Sequence, residues 1–132
     1  MDYLGSHLLV ELYECNSKKL NDLKKLESVL EEAVRISGAT ALKSSFHQFA
    51  PQGVSGVIII AESHFTIHTW PEYGYAALDI FTCGERIDSQ RALDYIEKEL
   101  DVKTVSVTEM KRGNIHFPIR IEKKTSPKVG VF

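Results

Sequence analysis

The stretch VSGVIIIAESHFTIHTWPEYGYAALDIFTC, residues 54 to 83, decides the fold, because it reads as three extended segments with one clear turn signal inside it. VSGVIIIAE (54 to 62), SHFTIHTW (63 to 70) and YAALDIFTC (75 to 83) are rich in Val, Ile, Thr and aromatic residues, which suit a pleated, half-buried surface. Pro71-Glu72-Tyr73-Gly74 breaks the last two apart, and Pro51-Gln52-Gly53 separates the first from a further strand candidate, TALKSSFHQF (40 to 49). Four strands in succession predict a meander.

Outward from this block the period changes. HLLVELYE (7 to 14) sets Leu8, Val10 and Leu12 against Leu9, Glu11 and Tyr13, a strand with one well-buried face. From about Ser17 to Ser37, Leu20, Leu23, Leu26, Leu30, Ala33 and Val34 recur at intervals of three and four between Lys and Glu, with Gly38 as a stop. This predicts one amphipathic helix. A second helix is expected from Asp88 to Leu100, capped by Asp88 or Ser89, with Ala92, Leu93, Ile96 and Leu100 turned inward. A strand at Thr104 to Glu109 follows, then a short strand around Ile115 to Ile121 and a loose end. The expected class is α+β: a two-layer sandwich with a mainly antiparallel sheet and both helices packed on one face.

That layout leaves one sheet face to be covered. Val54, Gly56, Ile58 and Ile60 lie on one side of the third strand and Val57, Ile59 and Ala61 on the other, so both sides are apolar. With no helices left over, another copy of the chain is the economical cover, and a homodimer is expected.

Size and charge narrow the function. A chain of 132 residues with 43% hydrophobic residues suits one domain with a real core. A formal charge of -2 and a pI near 6.2 give no basic stripe for nucleic acid. No run approaches the ~20 apolar residues that span a bilayer. MDYLGSHLLVELYE lacks the basic start and apolar run of a signal peptide, and Cys15 and Cys83, the only two cysteines, lie far apart. A cytoplasmic protein without a membrane partner is expected.

Ser63, His64 and His68 then need an account. In a strand, His64 and His68 share a face but stand roughly 13 Å apart, too far to ligate one metal. Ser63 and His68 have opposite parity, no Gly-x-Ser-x-Gly elbow surrounds the serine, and no acid is placed to orient the histidine, which argues against a hydrolase. On residue pattern alone, a polar outer face with a few buried histidines accounts for them.

The longer string adds more. ESHFTIHTWPEYGYAALDIFTCG, residues 62 to 84, resembles the prokaryotic S-adenosylmethionine decarboxylase proenzymes. The resemblance runs from LGSHLLVELYEC (4 to 15) through SGAT (37 to 40) and FHQFAPQGVSG (46 to 56) to KRGN (111 to 114). It implies a precursor that cuts its own backbone between Glu62 and Ser63 into a beta chain (1 to 62) and an alpha chain (63 to 132), with Ser63 becoming a covalent pyruvoyl group and no metal required. His68 matches the family's base for the elimination, where an imidazole suits because it titrates near neutrality. Ser55 matches the serine that assists the acyl shift.

The pyruvoyl group implies a Schiff base with the substrate amine and withdrawal of electrons as carbon dioxide leaves. Cys83 matches the proton donor to the resulting carbanion, and Cys15 is read as structural. For S-adenosylmethionine, Phe49 matches the adenine-stacking residue with the His68 ring on the other side, Glu72 accepts from the ribose hydroxyls, and Trp70 forms a wall. The product, decarboxylated S-adenosylmethionine, is an aminopropyl donor for polyamine and spermidine synthesis. Two rivals stay open: a pyruvoyl-dependent arginine or ornithine decarboxylase on the same scaffold, and a non-enzymatic α+β binding module. The geometry expected is Ser63 at a bend opening its strand, with His68 reaching the same pocket from the strand interior.

Overall fold

The structure, a computed structural model, describes residues 2–61, 63–84 and 86–116. The elements run β1 (Tyr3–Tyr13), α1 (Ser17–Leu20), α2 (Leu23–Ser37), β2 (Ala41–Gln48), β3 (Val54–Ile60), β4 (Ser63–Trp70), a 3₁₀ turn (Pro71–Tyr73), β5 (Tyr75–Cys83), α3 (Ser89–Glu99) and β6 (Thr104–Asn114). They form the expected α+β sandwich. One six-stranded sheet has the order β2-β3-β4-β5-β1-β6, and every neighbouring pair is antiparallel. β2 to β5 are the meander, and β1 closes it by pairing between β5 and β6.

The helices cover one face. From the sheet come Val10, Leu12, Ile58, Ile60, Phe65, Ile67, Leu78 and Ile80, and they meet Leu26, Leu30 and Val34 of α2 and Leu93 and Ile96 of α3, all sealed from solvent. Burial of each such side chain contributes about 1.5–3 kcal/mol before the entropy of ordering is set against it. The residues of opposite parity look away from the helices. Leu9, Tyr13, Ile59, Trp70 and Met110 all lie on that helix-free face and are 40–54% exposed.

The structure differs from the sequence reading at several points. The expected helix from Ser17 to Ser37 is two helices. Asn16 caps α1 by accepting from Lys19 N at 3.1 Å, and Asp22 caps α2 by accepting from Lys25 N at 3.1 Å. Between them Asn21 leaves the helix, and its Oδ1 accepts from Gly53 N (2.9 Å) and Gln48 Nε2 (3.0 Å) in the β2–β3 loop. β1 begins at Tyr3 rather than His7, because Gly5 and Ser6 pair with β5 and β6 although they carry no alternating signal. β6 runs to Asn114, well past Glu109, as an exposed edge strand with no buried face to announce it. Ile115 and His116 form a turn instead of opening a strand; the rest of that expected strand lies outside the described residues.

Among the described residues no helix is long and apolar enough to cross a membrane.

Candidate active site

Strand register sorts the predicted residues into two groups. Ser63 is the first residue of β4, paired with Ile60 across the two-residue connection from β3, so the strand-start position expected for it is observed. Glu62, its expected cleavage partner, lies outside the described residues. Cys83 is the last residue of β5, and Ser63 Oγ donates to its Sγ at 3.3 Å. Ser63 has helix-side parity and Cys83 the opposite, yet the two meet because one opens its strand and the other closes its own. This brings the expected cleavage serine and the expected proton donor together.

The second group sits at the other end of the same strands. Phe49, Ser55, His68, Trp70 and Glu72 line one open cavity of about 310 Å³, a size at the lower end for small-molecule sites. Ser55 of β3 lies directly opposite His68 of β4, and Ser55 Oγ is 2.7 Å from His68 Nδ1. That bond occupies Nδ1 and leaves Nε2 as the ring atom open to a reacting group. Trp70 packs against Tyr75 with ring centroids 5.3 Å apart, and Tyr75 stacks on Tyr13 at 5.4 Å. Tyr75 donates to Glu11 at 2.7 Å, and burial together with that carboxylate pushes its hydroxyl well above the usual phenol range, so it acts as a fixed donor.

One expectation fails within a single chain. His68 does not reach Ser63: five residues of extended β4 separate them by about 16 Å along the strand. The opposite parity noted in the sequence adds to the separation.

Two residues that position the cavity carry no functional signal in the sequence. Asn21 holds the loop bearing Phe49 through the Gly53 and Gln48 bonds already described. The Thr69 hydroxyl, buried under the sheet, donates to Leu20 O at 2.7 Å and accepts from Val54 N at 2.9 Å, which ties the strands flanking Ser55 and His68 to α1. An Asn-Asp pair interrupting a helical pattern is the one available mark of the first.

Near Cys83, on the helix-free face, His7 Nε2 is 3.0 Å from Asp79 Oδ1 and Thr66 Oγ1 donates to Asp79 Oδ2 at 3.0 Å. Arg112 lies 5.0 Å over the Phe81 ring. His64 packs edge-on to His7 and Phe81, and burial, reinforced by the nearby His7, pushes its imidazole below its ordinary value.

The two cysteines differ in access, Cys15 being buried and Cys83 partly exposed. Burial pushes the Cys15 thiol up to about 11, so at pH 8 only about 0.1% of it is the reactive thiolate. Iodoacetamide at pH 8 is expected to label Cys83 at least about tenfold faster than Cys15. Peptide mapping of the folded protein reads this directly, and equal labelling would refute the assignment of Cys15 to the core.

A serine hydrogen-bonded to a thiol thus opens β4, and an aromatic cavity with a carboxylate and a serine-paired histidine lies at the other end of the same strand. Residues 6–113 match the family model described as S-adenosylmethionine decarboxylase. The S-adenosylmethionine decarboxylase proenzyme of Caldicellulosiruptor saccharolyticus is 47% identical over 121 residues, covering 92% of this chain and 98% of its own. That of Thermotoga maritima is 51% identical over 113 residues, covering 86% and 87%. The crystal structure of the adenosylmethionine decarboxylase from Aquifex aeolicus superposes with a TM-score of 0.79 at 33% identity, over 96% of this chain and all of that one. The chain belongs to the S-adenosylmethionine decarboxylase family.

Proposed function

We propose that this chain cleaves itself between Glu62 and Ser63 and then decarboxylates S-adenosylmethionine, using a pyruvoyl group derived from Ser63. The observation that carries this reading is the contact of Ser63 with Cys83 at the opening of β4, where a serine to be cut and a thiol able to donate are 3.3 Å apart.

In the cleavage, the Ser63 hydroxyl attacks the carbonyl carbon of Glu62 and the amide becomes an ester. His68 Nε2 takes the α-proton of Ser63, the ester C–O bond breaks, and Glu62 departs as the carboxylate end of the 1–62 chain. The dehydroalanine left at 63 adds water and loses ammonia. Ser55 holds the His68 ring through the 2.7 Å contact, and the role of base requires the tautomer in which Nδ1–H donates to Ser55 Oγ and Nε2 carries the lone pair. Ser63 and its neighbour Cys83 fit the group: the position starts a chain after cleavage and has a thiol beside it.

Joined to the substrate amine, the pyruvoyl group would supply a conjugated electron-withdrawing carbonyl that takes up the electrons released as carbon dioxide leaves. Phe49 and the His68 ring offer aromatic faces for adenine, Glu72 an acceptor for ribose hydroxyls, and Trp70 a wall for the cationic sulfonium. The Cys83 thiol delivers a proton to the carbon that has lost its carboxylate.

Because Ser63 and His68 are about 16 Å apart along one strand, the working site takes Ser63 and Cys83 from one copy and the partner's Phe49, His68 and Glu72. A two-fold pairing of helix-free faces supplies this, and it covers Leu9, Ile59 and Met110. The test is denaturing mass spectrometry with a turnover assay. Fragments 1–62 and 63–132, the latter with a carbonyl in place of its amine, are expected, together with carbon dioxide release from S-adenosylmethionine. An unbroken chain under maturing conditions, or release from arginine or ornithine instead, overturns the reading.

A further inference from the structure

Ser55 has a histidine on each side. The register sets His47 of β2 opposite Ser55 of β3, and Ser55 opposite His68 of β4. All three side chains border a second open cavity of about 200 Å³ on the helix-free face, and it shares Ser55 and His68 with the larger cavity that Phe49 lines. Ser55 is hydrogen-bonded to His68. The His47 ring packs against Phe49, with centroids 4.6 Å apart and planes at 73°.

That contact matters because Phe49 is the least secured ring of the cavity. It stands one residue beyond the end of β2 and is 47% exposed. Its backbone is fixed, since Phe49 N donates to Gly53 O at 2.8 Å and Gly53 is held in turn by Asn21. Its side chain is not fixed by that bond, and a half-exposed ring turns among staggered rotamers unless a neighbour occupies one side. The edge-to-face approach of His47 matches the positive edge of one ring to the negative face of the other, the favoured geometry for an aromatic pair.

We propose that His47 is a positioning residue of this site: it buttresses Phe49, so that the ring is already set to receive the purine of the substrate. This rests on the reading of the cavity as a nucleoside site. The buttress lowers the ordering cost of binding and acts before any chemistry, so its loss falls on affinity.

His47→Ala is expected to raise KM for S-adenosylmethionine about fivefold, the scale of one aromatic pair, with kcat changed less than about twofold. His47→Phe restores a ring edge and brings KM back to within about twofold of the parent, while His47→Gln, polar but without a ring, behaves like Ala. A second readout needs no pyruvoyl group. Adenosine is titrated into the Ser63→Ala chain and followed by the fluorescence of Trp70, the only tryptophan and a neighbour of Phe49 in the cavity. Adding His47→Ala should weaken that binding about fivefold. An unchanged KM in His47→Ala, an equal loss in the Phe and Ala variants, or an effect confined to kcat or self-cleavage overturns the proposal. The two readings fail separately, because an uncut wild-type chain refutes the proposed function while the adenosine titration still reports on His47.

Discussion

Ser63→Ala is expected to leave a single uncut chain of 132 residues and to lower carbon dioxide release on the order of 10⁴-fold or more, the scale seen when an essential nucleophile is removed. The size of the effect follows from Ser63 serving twice. Its hydroxyl makes the ester without which the backbone is not cut, and its own carbons become the electron-withdrawing group. No neighbouring side chain can take over either task, because the attacking oxygen must sit on the residue next to the carbonyl it attacks. The fold should hold. Ser63 is a partly exposed residue at the first position of β4, its ladder pair with Ile60 is made by backbone, and the substitution removes its hydroxyl contact with Cys83. Stability is expected to change by about 0.5 kcal/mol or less. Gel electrophoresis, thermal unfolding and turnover on the same sample separate the two effects. A cleaved Ser63→Ala chain, or one that turns over near the parent rate, would falsify the role assigned to Ser63.

Much of the fold was legible because period and burial coincide. β4 and β5 were bounded correctly from Ser63–Trp70 and Tyr75–Cys83, since each alternates and each ends at a Pro, Gly or connection. What was missed has no one-dimensional trace. Asn21 breaks the first helix because its side chain is needed by Gly53 and Gln48, which are distant in sequence. β6 hides its length because Lys111 and Arg112 lie on an edge where neither face is buried. The site divides in the same way. Pattern alone placed Ser63 and His68 on opposite faces and left them as surface polars; resemblance gave their roles. The distance between them was countable, five residues of strand, but its meaning needed the sheet. Only the observed register shows Cys83 beside Ser63 and Ser55 beside His68, at opposite ends of β4. His47 was passed over because its place beside Ser55 runs across strands, although its contact with Phe49 is between residues two apart in the sequence.

The separation of the two groups makes a second large effect testable by mixing defective chains. Cys83→Ala alone is expected to leave self-cleavage intact, since the thiol takes no part in the acyl shift, and to reduce turnover by about 10²–10⁴-fold for want of a positioned acid. Glu72→Ala alone should also cleave, and lose about 10–100-fold through the missing ribose acceptor, a hydrogen bond to a charged group. If each site combines Cys83 of one copy with the partner's Glu72, a heterodimer of the two variants collects both substitutions in one site and leaves the other whole. Co-expressed with different affinity tags and purified through both, that heterodimer is expected to show about half the wild-type rate per dimer, at least about fivefold above the better parent. A site built within one chain predicts the reverse, because every site in the mixed dimer then carries one of the two defects. The assay thus reads the 16 Å gap of one chain as a contact between two, without depending on any assumed face-to-face angle. Correctly cleaved heterodimers no more active than their parents would place Cys83 and Glu72 in the same chain's site and sink the composite pocket.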